Sequence, residues 1–413
     1  TLDRSSAASD VYKRQMSHKP LLQRQSRRLS AGILLGLIVV GEMARVFLGN
    51  GAGLKTQQLS KLNLFILFLS LQVVFAPLQA GLSDFYCRKR SIIFCLICIT
   101  MSIFISFFYT YRKDLLILSA IVFGIAGNLI PISRAGLLDL IFPHHNFRFF
   151  IGLSTVAIAA GYCLSAIFFR LFPIYFILPL LLIGLIGGIA VAYLYFIDIK
   201  DTDSLSPKME FSLSQEVYAL WNDFLKKPIF LFPLLTYFFI EVAFYEMFFD
   251  YTATSPESFL YSVILMCLGY MVGAFILRTS TRSDEVWIRI GLLCSFLSLV
   301  LFTCTPTDLN IYLRLIFFVL FSMGYGLFIP CLFSLLSKQE LAHNQGKIYG
   351  LVDSFDAAAL LIAYLVNGES TKTVAHSKGV IHYHNFTIPI LSIPCFFIAV
   401  LLYKYYLKYK TKI

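Results

Sequence analysis

Apolar stretches of about 18 to 25 residues recur along this 413-residue chain, separated by much shorter polar segments. An α-helix rises about 1.5 Å per residue, so each stretch is long enough to cross a hydrocarbon core of about 30 Å. Charged residues make up only 14% of the chain and hydrophobic ones 58%, where soluble domains carry roughly 25% charged residues. No water is available inside a bilayer to satisfy backbone N–H and C=O groups, so only helices or closed barrels span it, and runs of this length are helices. The chain therefore reads as an all-α integral membrane protein.

The predicted spans are 30–50, 60–82, 91–110, 115–140, 149–169, 174–197, 228–250, 257–277, 286–305, 311–336, 347–367 and 386–406, twelve in all. The turns between them are short, and an even count places both termini on one side. The longest polar interval, 198–227, divides the chain into six spans plus six. Within it Leu213, Val217, Leu220 and Phe224 recur at helical spacing, which predicts an amphipathic helix along the membrane surface. The expected organisation is a bundle over 16–197, a linker over 198–227 and a second bundle over 228–413. Residues 1–15 are polar, end just before Met16 and read as a non-native leader.

With a cytoplasmic amino terminus, about 21 Lys and Arg fall on the inner side and about 8 on the outer. That bias follows the positive-inside rule and places both termini in the cytoplasm. The net charge of +11 is spread over short inter-span clusters, and no continuous patch suggests a nucleic-acid partner. Most of the nine cysteines lie inside apolar runs, where they act as small hydrophobes. Cys95 and Cys98 form a C-x-x-C, but inside a span, out of reach of a redox partner. No spacing suggests a metal site, and no cofactor is expected. His376, His382 and His384 read as solvated residues of an outer loop, and Asn385 opens a sequon close to the membrane. Gly184 with Gly188 and Gly269 with Gly273 are G-x-x-x-G pairs that permit close helix packing.

Between the second and third spans stands Ala80-Gly81-Leu82-Ser83-Asp84-Phe85-Tyr86-Cys87-Arg88-Lys89-Arg90. Leu82, Asp84, Arg88 and Lys89 match the loop signature G-x-L-x-D-R-x-G-R-K, whereas Ala80, Phe85 and Cys87 depart from it. The fourth span ends with Pro131, Arg134, Ala135 and Asp139 in a P-x-x-R-A-x-x-x-D arrangement. The eleventh opens with Gln345, Gly346, Gly350 and Ser354 as Q-G-x-x-x-G-x-x-x-S. In these three places the chain resembles the major facilitator superfamily. The resemblance implies two six-helix bundles, no enzyme activity and a monomeric transporter working by alternating access. It also implies an inner gate in which Asp84 faces the start of the eleventh helix, Arg88 pairs with Asp139, and Lys89 completes the basic cluster. The fifth span lacks the proline, and the fourth the arginine, that mark the family's drug/proton antiporters, so multidrug efflux is the weaker alternative.

A charge at the bilayer centre is costly, which makes each ionisable residue deep in a span a functional candidate. Glu42 and Arg45 are three apart on one helical face, and Glu241 has Tyr237 and Tyr245 a turn to either side. The resemblance implies that Glu42, Arg45, Asn128, Glu241, Tyr237 and Tyr325 share a central cavity for a small polar solute, with Glu241 suited to carrying a proton. Asp353 and Asp356 rank lower for coupling, since they fall near enough to the inner end of their span to be wetted. Glu246 is expected at a solvated outer end, and Arg134 near a membrane face. A polytopic enzyme or a receptor is the remaining alternative, with His144-His145 the one tempting pair for catalysis. The expected location is a bacterial cytoplasmic membrane, crossed many times.

Overall fold

The computed structural model describes residues 30–46, 58–85, 88–107, 114–141, 147–171, 222, 225–252, 256–305, 311–338, 345–375 and 387–410. The 1–15 leader, the sixth predicted span, almost all of the 198–227 linker, Gly184 and Gly188, the His144-His145 pair, the three outer histidines and Asn385 lie outside the described residues. The helices are α1 (30–46), α2 (Gln58–Phe85), α3 (Arg88–Phe107), α4 (Asp114–Ala126), α5 (Leu129–Ile141) and α6 (Phe147–Leu171). They continue as α7 (Pro228–Thr252), α8 (Pro256–Thr279), α9 (Asp284–Cys304), α10 (Ile311–Lys338), α11 (Gln345–Ala375) and α12 (Thr387–Lys410). Among the described residues, nine helical segments are long and apolar enough to cross a membrane.

The outer faces of these helices are apolar. Phe94, Ile97, Met101 and Phe104 form an exposed stripe on α3, and Leu293, Leu297 and Leu301 another on α9. At three- and four-residue spacing each stripe is one helix face. In water such a surface would drive aggregation, whereas lipid solvates it. The chain is a multi-pass integral membrane protein.

The predicted span 115–140 is two helices rather than one. Pro131 has no N–H to donate, and its ring crowds the carbonyl four residues earlier, that of Gly127. The chain breaks there: the Gly127 N–H bonds the Phe123 carbonyl at 2.7 Å, and the Leu129 N–H bonds the Gly127 carbonyl at 2.8 Å. Gln79 of α2 satisfies groups that the break exposes. Its Nε2 donates to the Ala126 carbonyl at 3.0 Å, and its Oε1 accepts from Asn128 Nδ2 at 2.8 Å. Neighbouring side chains commonly repair a broken membrane helix in this way. Gln79→Leu is expected to lower stability by about 1–3 kcal/mol, the cost of stranding buried polar groups. Thermal unfolding in detergent would show it, and an unchanged midpoint would contradict this account of the break.

Four helix pairs place the functional residues. α2 packs along α11, and α6 packs on α8, so the 30–171 and 228–410 segments meet along two seams. α8 also packs on α10, and α7 on α12. The α8–α10 contact runs through the G-x-x-x-G pair: a Cβ on Gly269 would lie 2.7 Å from Ser322 Cβ, and one on Gly273 2.6 Å from the Gly326 carbonyl carbon. Small residues are what let the two backbones approach this closely.

Candidate functional site: a charged central cavity and a closed end

A cavity of about 180 Å³ lies among α1, α2, α5, α6, α7, α8, α10 and α11. Arg45, Tyr237, Glu241 and Tyr325 line it, together with Arg134, Asp353, Asp356, Tyr245 and Tyr270. Arg45 Nη1 donates to Asp356 Oδ2 at 3.1 Å and stands 3.8 Å from Glu42 Oε2. The Tyr245 hydroxyl donates to Asp356 Oδ1 at 2.8 Å. On the α7 side the Tyr325 hydroxyl donates to Glu241 Oε1, with both groups buried. Aromatic rings complete that wall, with the Tyr270 and Tyr325 ring centres 5.0 Å apart and stacked.

Two residues expected in the cavity stand beside it. Glu42 is fully buried behind Arg45, where α1 and α6 close on each other; a Cβ on Gly161 would lie 2.8 Å from Glu42 Cβ. Asn128 is held at the helix break by Gln79 and faces a smaller recess shared with Arg45, Gln72 and Asp353.

Three other residues are placed more deeply than their sequence positions suggested. Asp353 is 4% exposed and accepts from Gln72 Nε2 at 2.8 Å. It lies eight residues into α11, about 12 Å along the axis, where α2 covers it. Arg134 is buried on the cavity wall, because α5 begins at the mid-bundle break. Its Nε donates to Ser154 Oγ at 3.2 Å, and its guanidinium lies 5.6 Å from the centre of the Phe333 ring. Glu246 is buried on α7, which α12 covers.

One end of the bundle is tied shut. Asp84 at the end of α2 accepts from the backbone N–H groups of Gly346 and Lys347, each at 2.9 Å, where α11 begins. These are N–H groups that a helix start leaves without intrahelical partners, and the helix dipole favours an anion there. Arg88 gathers the same region: Nη2 bonds Asp84 at 2.5 Å, Nη1 bonds Ser83 Oγ at 2.9 Å, and Nε bonds Asp139 at the end of α5. Lys89 follows on α3, and Lys347 Nζ lies 4.9 Å from the centre of the Phe85 ring.

A second tie at the α8–α9 turn escaped the sequence reading. Arg148 of α6 reaches Asp284 at 3.3 Å and the Arg282 carbonyl at 2.6 Å. Lys338 of α10 also bonds Asp284, at 2.6 Å. The signal was present, since the short turn before Asp284 sits between the eighth and ninth spans as Asp84–Arg88 sits between the second and third. In the sequence its basic residues count only toward the positive-inside bias.

The sequence profile described as Major Facilitator Superfamily matches residues 28–364, most of the chain. The chain belongs to the major facilitator superfamily. It is a transporter and not an enzyme. Solved structures of the same fold include the human organic anion transporter MFSD10 (TETRAN), with a TM-score of 0.71 at 14% identity. They also include FucP in the outward conformation (0.65, 13%) and a variant of the E. coli fucose:proton symporter FucP (0.67, 12%). Each alignment covers 92% of this chain and 99% of the other. At such identities the likeness establishes the fold alone. No curated protein matches the sequence.

Proposed function

We propose that this superfamily member is a secondary active transporter that moves a small polar solute by alternating access, with proton coupling, in a bacterial cytoplasmic membrane. Two six-helix bundles, joined by the 198–227 linker, rock about the central cavity. The Asp84–Arg88–Asp139 cluster closes the cytoplasmic end in one state and releases it in the other. The transporter acts as a monomer in this reading, with the residues of one chain lining the cavity.

The observation that carries this reading is Glu241, a buried carboxyl group on the cavity wall, hydrogen-bonded by Tyr325. An ionisable group at membrane depth that meets a solute cavity is placed to exchange a proton with each transport cycle. The neighbours described as a fucose:proton symporter and an organic anion transporter carry polar or charged cargo on the same fold, which supports the reading. The test is uptake of a metabolite panel into proteoliposomes under an imposed pH gradient. Glu241→Gln is expected to abolish gradient-driven accumulation while solute exchange persists. Full uphill transport by that variant would sink the assignment.

A further inference from the structure

Arg45 offers hydrogen-bonding capacity that the protein leaves unused. Its Nη1 is taken by Asp356, and Glu42 stands nearby, but among the described residues neither Nε nor Nη2 has a hydrogen-bond partner, and both are buried. These two nitrogens form the side edge of the guanidinium, whose parallel N–H groups match the two oxygens of a carboxylate. Stranding such donors inside a protein is costly, and Arg45 stands in the wall of the solute cavity. Asp356 and Glu42 hold the charge in place without using that edge.

The rest of the wall argues against a purely anionic occupant. Asp353, Asp356 and Glu241 outnumber the cations Arg45 and Arg134 there, three to two, and Glu42 adds a further acid behind Arg45. On the α7 side of the cavity Glu241 stands among the tyrosines, with Tyr270 stacked on Tyr325 and the Phe244 ring centre 5.3 Å from that of Tyr325. Aromatic faces beside a carboxyl group suit an ammonium group, through cation–π attraction and charge. Phe65, Phe244 and Phe248 also line the cavity and suit a hydrocarbon side group.

We infer that the free edge of Arg45 is the carboxylate subsite of the cavity, and that the solute is an amino-acid-like zwitterion whose ammonium end rests against Glu241 and its tyrosines. This rests on the transporter reading above and adds the class of cargo. The test is thermal unfolding of the purified full chain against three probes sharing one phenylethyl body: L-phenylalanine, 3-phenylpropionate and 2-phenylethylamine. A ligand that binds the folded state raises its apparent stability. Phenylalanine is expected to bind most tightly, with each truncated probe weaker by roughly tenfold or more, the loss of one charged hydrogen-bonding group. Arg45→Lys keeps the charge and removes the fork, so it should weaken phenylalanine and phenylpropionate and leave phenylethylamine unchanged. Glu241→Gln should do the reverse, weakening the two amines alone, and serves if Arg45→Lys does not fold.

Equal affinity for phenylethylamine and phenylalanine overturns the inference, as does an Arg45→Lys protein that binds the carboxylates normally. No shift with any probe at millimolar concentration overturns it too. Gradient-driven uptake of other solutes alongside these failures would discard the zwitterion and keep the transporter, whereas loss of all uptake would remove both.

Discussion

Gly346→Ala is expected to separate α2 from α11 at the closed end and to lower stability by about 3 kcal/mol, the top of the usual overpacking range. A Cβ at this position would collide with the Ala80 carbonyl oxygen and lie 2.7–2.8 Å from both Asp84 carboxylate oxygens. The first of these is backbone, so relief requires moving a helix, and moving the helix also disturbs the two N–H bonds that Asp84 accepts. Gly350, one turn on, has the same character, with a Cβ there 2.6 Å from Pro77 Cα. Gly32 on α1 is the control, because nothing lies within 4 Å of its Cβ position, and alanine is the better helix former. Thermal unfolding of the three alanine variants checks this. Equal midpoints for positions 346 and 32 would show that the seam is not close-packed.

Asp84→Ala is expected to cost about 3–5 kcal/mol, as for a buried pair that loses one partner. The Asp84 side chain is 3% exposed and joins Arg88 to the start of α11. Its removal leaves Arg88 with Asp139 and Ser83, and leaves the Gly346 and Lys347 N–H groups without their carboxylate. Faster hydrogen exchange at those two amides is the direct readout, because exchange reports local opening. Unchanged protection there would mean that other groups hold the closed end. Asp284→Ala provides the comparison on the second seam: its partners Arg148 and Lys338 are 17% and 52% exposed, against 9% for Arg88, so the loss should be smaller.

Membrane residence was legible in the sequence because it depends on local quantities. Eighteen or more consecutive apolar residues make a span whatever surrounds them. Motif residues such as Asp84, Pro131 and Gly346 carried the family likeness, which covers most of the chain. Hydropathy and charge alone carry the reading of the sixth span, the linker and the termini. The site was legible as a set of candidates only. Arg45, Glu241, Tyr237 and Tyr325 meet in one cavity, while Glu42 and Asn128 stand behind or beside it. Helical periodicity says which residues share a face; which neighbour covers that face depends on packing.

The sequence by itself determined that this chain lives in a bilayer as a bundle of apolar helices and which superfamily it belongs to, since span length, composition and motif are written along the chain. Tertiary structure alone decided the pairings. Arg45 and Asp356 are 311 positions apart, Gln72 and Asp353 are 281, and Arg148 meets Asp284 across the α6–α8 seam. It also decided that Gln79 would repair the break before Pro131, and that Asp353 and Arg134 would be buried. A charge in a low-dielectric interior must find its partner on whatever helix packs against it, and no spacing within one helix encodes which helix that will be.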